Sequence, residues 1–129
     1  MDRIDINDPN LTLDLKPTNW GGGISLYNGI PFTGIIEEYF NGTSQLLSEG
    51  EYRDGVIHGR QVEYFLNGQI ETEYYEKYGG FYGAKKYWNE QGALIYHEEF
   101  SDEGVSLWAK KYDDQGNLTD HWIGQNKVL

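Results

Sequence analysis

Glycines that return at a fixed interval limit this chain more than anything else in it, because each marks a place where the backbone must reverse or come close to a neighbour. Asn-Gly or Gln-Gly turns end at Gly42, Gly68, Gly92 and Gly116, separated by 26, 24 and 24 residues. A second column runs through Gly34, Gly59 and Gly83, at 25 and 24. A third runs through Gly29, Gly55, Gly80 and Gly104, at 26, 25 and 24. Between the second and first columns stands an aromatic residue: Tyr39, Tyr64, Trp88 and, in the last unit, Tyr112. Columns that keep step over four units identify a tandem repeat of roughly 24 residues.

The clearest unit is residues 50–68, which reads as strand, turn, strand, turn. Asp54-Gly55 and Asn67-Gly68 are hairpin signals, since Gly accepts positive φ and Asp or Asn tolerates it. Segments such as Gln61–Leu66 and Ile70–Tyr75 are too short for stable helices and lie between turn residues every 8–12 positions, the spacing of antiparallel strands. A two-stranded unit is marginal alone, so the units must share their aromatics. The fold class expected is therefore all-β: antiparallel hairpin repeats stacked into an elongated, twisted meander sheet. Residues 26–120 carry four such units. Residues 1–25 are expected to supply a capping strand, in which Leu11, Leu13 and Leu15 alternate with Thr12 and Asp14 and cover the open edge of the first unit, and then a loop through Lys16-Pro17 and Trp20-Gly-Gly-Gly23. Residues 121–129 read as a tail with one aromatic anchor, Trp122.

Tyr52-Arg-Asp-Gly55, His58-Gly59 and Tyr64-Phe65-Leu66-Asn67-Gly68 resemble the MORN repeat, with its Tyr-x-Gly spacing, paired glycines, aromatic and closing Asp/Asn-Gly. A longer-period variant, found in bacterial antitoxin or immunity proteins of the YwqK type, is more similar still. The resemblance spans about residues 26–120. It departs where Leu107 replaces the expected glycine of the last unit, where Gly79-Gly80 doubles a turn, and where Gly42–Tyr52 is stretched. It implies an antitoxin or immunity protein that blocks the active site of a toxin. A MORN-type scaffold that binds lipid and a carbohydrate-binding module are the alternatives.

Charge narrows the partners. The 129 residues carry 21 acids against 10 bases, a formal net charge of -11. Such a surface repels phosphate, which argues against nucleic acid and anionic membranes and favours a basic protein partner, such as a toxin domain that itself acts on nucleic acid. The charge is uneven: residues 1–76 hold 13 acids and 4 bases, residues 77–129 hold 8 and 6. With no Cys there is no disulfide framework or thiolate site. The charged opening, Met-Asp-Arg-Ile-Asp-Ile, has no apolar stretch of the signal-peptide kind, and a cytoplasmic monomer or weak homodimer is expected.

No chemistry-bearing motif emerges. His58, His97 and His121 fall in different units, and in His97-Glu98-Glu99 neighbours on a strand point to opposite faces. Asp113-Asp114-Gln-Gly116-Asn117 lacks the ligand spacing of a calcium loop and coincides with a turn. Glu71 and Glu73 share a strand face roughly 7 Å apart, but a repeat sheet offers no cleft to tune them. The expectation is a protein that is not an enzyme and takes no cofactor or metal. Tyr39, Tyr64, Trp88 and Tyr112 are expected to form the core ladder, leaving Phe40, Phe65 and Tyr87 on the other side beside Glu38 and Glu63. An exposed stripe of rings and carboxylates is what a basic partner would dock on, so Glu38, Phe40, Glu63, Phe65, Glu71, Glu73 and Tyr87 are the candidate partner-binding residues.

Overall fold

The computed structural model describes residues 1–15 and 22–129. The loop expected through Lys16-Pro17 and Trp20 thus lies outside the described residues. Every regular element among those described is a strand, and the protein is all-β.

The long meander runs through β5 (Gly34–Tyr39), β6 (Leu46–Arg53), β7 (Val56–Tyr64), β8 (Ile70–Lys77), β9 (Gly80–Phe81) and β10 (Gly83–Trp88). It continues through β11 (Leu94–Phe100), β12 (Ser106–Tyr112), β13 (Leu118–Ile123) and β14 (Asn126–Lys127). Neighbours along the chain pair antiparallel, with β9 and β10 both lying against β8. The sheet stays open rather than closing into a barrel, and residues 121–127 extend it where a tail was expected.

Two kinds of turn join these strands, for a physical reason. At one end of the sheet, Phe65–Gln69, Asn89–Ala93 and Asp113–Asn117 close on the same pair of backbone bonds, from the first residue's N–H to the fifth's carbonyl and from the glycine back to the first. The glycine has φ near +90° in each, which makes a type I turn followed by a one-residue bulge. The loop at Phe40–Gln45 holds one more residue, which accounts for the stretch after Gly42. Every such turn shifts the register, leaving Leu47, Glu71, Ile95 and Thr119 as extra, bulged residues at intervals of 24. At the other end, Asp54-Gly55 and Tyr78-Gly79 are two-residue turns with both φ values positive. Gly79, not Gly80, is therefore the counterpart of Gly55. Gly104 belongs to the first kind, in the turn Ser101–Val105, and Leu107 is its bulged residue rather than a substitute for a missing glycine.

The cap is built differently from expectation. Strand β2 (Leu11–Asp14) does exist, but it pairs with β3 (Ile24–Tyr27), which pairs with β4 (Ile30–Pro31) in a separate three-stranded sheet. Leu13 and Leu15 stay exposed. The edge of β5 is covered instead by β1 (Arg3–Asp5), running parallel to it. The small sheet docks on the Asp54-Gly55 turn: Ser25 N–H donates to the Gly55 carbonyl at 2.7 Å, and Gly55 N–H donates to the Phe32 carbonyl at 2.7 Å.

Few apolar side chains are buried: Phe32, Ile36, Val62 and Ala109. The expected core ladder of Tyr39, Tyr64, Trp88 and Tyr112 is only half-buried throughout. A single-layer sheet has nothing to press against these rings, so they pack on their strand neighbours and remain partly wet.

Candidate functional site

Register assigns the faces, since directly paired residues project to the same side. On one face, Glu38, Ser48, Glu63, Thr72, Tyr87 and Tyr96 form a continuous row across six strands. Beside it runs a second row through Gln61, Tyr74, Lys85 and Glu98. Here the sheet forms an open concavity of about 910 Å³ between β7 and β11. Glu63, Phe65, Tyr74, Phe81, Lys85 and Tyr87 line its floor, while Glu71, Glu90 and Asp114 add carboxylates around it.

The rings are fixed by one another. Tyr87 stacks on Tyr96 with centroids 5.2 Å apart, Phe81 meets Tyr74 edge-on at 5.4 Å, and Phe100 lies 5.4 Å from Phe81. Such pairs hold their geometry because ring edges carry positive and faces negative charge. The Lys85 ammonium sits 4.3 Å from the Phe81 centroid and 5.6 Å from that of Tyr87, a cation held on ring faces. Burial, helped by a hydrogen bond to Glu98 at 2.9 Å, pushes the Tyr96 phenol well above its usual range. Burial and nearby carboxylates do the same, in the same direction, to Tyr74. Both are neutral hydroxyls at physiological pH.

The seven sequence-derived candidates divide. Glu63, Phe65, Glu71 and Tyr87 come together around the concavity. Glu38 shares the row of Glu63 but lies over a smaller depression that Ile36 and Gln61 also line. Phe40 stands at the Phe40–Gln45 loop, apart from the concavity. Glu73 is on the opposite face, bound to Arg60 at 2.7 Å. The expectation that Glu71 and Glu73 share a face fails because the bulge at Glu71 breaks strict alternation there. Phe81, Lys85, Tyr96 and Phe100 went unread in the sequence. Tyr96 was legible in principle, because a hairpin centred on Gln91-Gly92 sets it opposite Tyr87.

Other carboxylates are committed to structure. His97 bonds Glu99 at 2.8 Å, whereas Glu98 takes hydrogen bonds from Tyr96 and Ser106 on the other side. Asp113 accepts the N–H groups of Gln115 and Asn117, each at 2.9 Å, and the Asn117 bond in particular holds its carboxyl below the usual range. Among the described residues no three His, Cys, Asp or Glu side chains are grouped to hold a metal, and no helix is long and apolar enough to cross a membrane.

No family model matches this chain. No curated protein matches it either. Among solved structures, the crystal structure of TarM is similar at a TM-score of 0.42 and 12% identity, over 93% of this chain and 20% of TarM. The chain spans a fifth of that protein's length, and a likeness of this degree carries no argument about fold or function. The reading of the site rests on its own geometry.

Proposed function

We propose that the chain is a non-catalytic protein-binding module of the cytoplasm, an antitoxin or immunity protein that covers the active site of a basic toxin domain. One observation carries the reading: a concavity that presents Phe65 and Tyr87 among Glu63, Glu71, Glu90 and Asp114, on a chain of net charge -11. Rings supply contact area with little side-chain entropy to lose, and carboxylates around them attract and orient a cationic surface. A toxin that acts on nucleic acid needs a basic cleft, and this rim of carboxylates matches such a cleft as phosphates do. Support for a binding rather than a catalytic role comes from the carboxylates elsewhere, which are taken up by Arg60, His97, Tyr96 and backbone amides.

The test is co-expression with the toxin domain encoded beside this chain, followed by titration of the purified pair. Nanomolar affinity is expected, with an association rate that falls as salt rises. Failure to co-purify with any such neighbour refutes the antitoxin reading.

A further inference from the structure

The face opposite the concavity carries a single row of directly paired residues across nine strands. It reads Asp5, Glu37, Glu49, Val62 on the first four, then Glu73, Lys86, His97 and Lys110, and ends on a ninth strand at His121. Its charge is antisymmetric about the boundary of β8 and β10. At equal steps from that boundary stand Glu73 and Lys86, then Val62 and His97, then Glu49 and Lys110, then Glu37 and His121. Three of these four pairs set an acid against Lys or His, and the fourth sets Val62 against His97.

Among the described residues only the side chains of Arg3 and Arg60 fold over the acidic half of this face, where Val62 is buried and Glu37, Glu49 and Glu73 keep 15–17% exposure. The small sheet lies toward Tyr52 and Ile57 on the concavity side, and among the described residues no element packs on the row. The chain exposes 7977 Å². A compact monomer of 14.9 kDa exposes about 7,000 Å² by the surface–mass relation. The surplus of about 1,000 Å² is what a single-layer sheet with water on both faces leaves open. The half-buried rings Tyr39, Tyr64 and Tyr112 lie on this side, two residues beyond Glu37, Val62 and Lys110.

We propose that a second copy of the chain covers this face, related by a two-fold axis parallel to the strands and passing over the β8–β10 boundary. That operation reverses the row, so Glu73 of each copy faces Lys86 of the other and Glu49 faces Lys110. An axis along the row would instead set acid on acid. The interface is isologous, with two sheet layers about 10 Å apart and the aromatic row enclosed between them. Arg3 and Arg60 already bind Glu37, Glu49 and Glu73, but a carboxylate accepts several hydrogen bonds and retains capacity for a further cation. Among the described residues Lys86 and Lys110 form no ion pair of their own. The concavity stays open on the outer side of such a dimer, so this association is independent of partner binding there.

Sedimentation velocity over a concentration series tests it. The wild-type chain is expected to dimerise in the micromolar range, more weakly at high salt. Lys86→Glu with Lys110→Glu is expected to weaken the dimer about a hundredfold, since like charges are then juxtaposed at symmetric positions. Glu49→Lys with Glu73→Lys is expected to do the same, and mixing the two variants is expected to restore a heterodimer. Far-UV circular dichroism checks that each variant folds. If the acidic-end variant does not, the basic-end variant decides by itself. A wild-type chain that stays monomeric at several hundred micromolar, or a dimer that the Lys86/Lys110 reversal leaves intact, overturns the proposal.

Discussion

Tyr64 donates its hydroxyl to Glu49 Oε1 at 2.6 Å, joining β6 to β7 across the face opposite the concavity. Arg3 bonds the same carboxylate and Glu37, which ties the N-terminal strand to the sheet. Val62 lies between this cluster and the Arg60–Glu73 pair and is 2% exposed. Polar side chains thus do at this end what a second layer does in thicker folds.

That cluster makes stability depend on pH at both extremes. Burial works against the Glu49 charge, but the Tyr64 and Arg3 hydrogen bonds outweigh it and hold its folded pKa below the ordinary 4.5. A depressed acid stabilises above its unfolded pKa and loses that contribution as pH falls through the folded value. Glu49→Gln is therefore expected to lose stability at neutral pH and to show a shallower decline below about pH 4.5, read by denaturant unfolding. For Tyr64 the sign is opposite: burial first, then Glu49, pushes its pKa up to about 12, so its contribution disappears only as pH rises from 10 through that value. Tyr64→Phe is expected to cost about 1 kcal/mol at neutral pH and to flatten the alkaline limb.

Gly55 and Gly116 both have φ of +85°, yet they are not equivalent. Around Gly116 an added Cβ meets nothing within 4 Å, while at Gly55 it would clash with Ile24 and come 2.8 Å from the Ser25 carbonyl. Gly116→Ala is expected to cost about 1 kcal/mol for the left-handed backbone alone. Gly55→Ala is expected to cost about 3 kcal/mol and to free the small sheet for proteolysis near Ile24.

Asn89 Oδ1 accepts Gln91 N–H at 3.0 Å and Ala93 N–H at 2.9 Å, the same cap that Asp113 makes one hairpin pair later. Asn89→Ala is expected to lower stability by about 1 kcal/mol, and Asn89→Asp to recover most of it, in thermal or denaturant unfolding.

Glu63 and Glu73 test which face meets the basic partner. Glu63→Lys and Tyr87→Ala are expected to weaken toxin binding at least tenfold without changing the fold. Glu73→Gln is expected to lower stability through the lost Arg60 pair yet leave that affinity unchanged, as measured by calorimetric titration.

The concavity was partly legible beforehand. Alternation within a strand separated Glu63 and Phe65 from Tyr64, since the period of two is local, whereas Trp88 lines the concavity together with Tyr87. It misassigned Glu71, because a bulge of one residue sets the frame after each turn and depends on how that turn closes. Phe81 and Phe100 join the cluster only through pairings across three strands, and no short window contains those.

What the chain's own residues determined was the meander: a glycine in left-handed φ at each reversal, short strands between, and hence an antiparallel all-β sheet, because backbone conformation at a turn is a local energy. Tertiary structure alone decided that the sheet is a single layer, that Arg3–Asp5 rather than Leu11–Leu15 covers its edge, and that the ring ladder stays half-exposed. Burial is set by what packs above a residue, and with so few apolar side chains the same alternation suits a strand in a core and a strand with water on both sides.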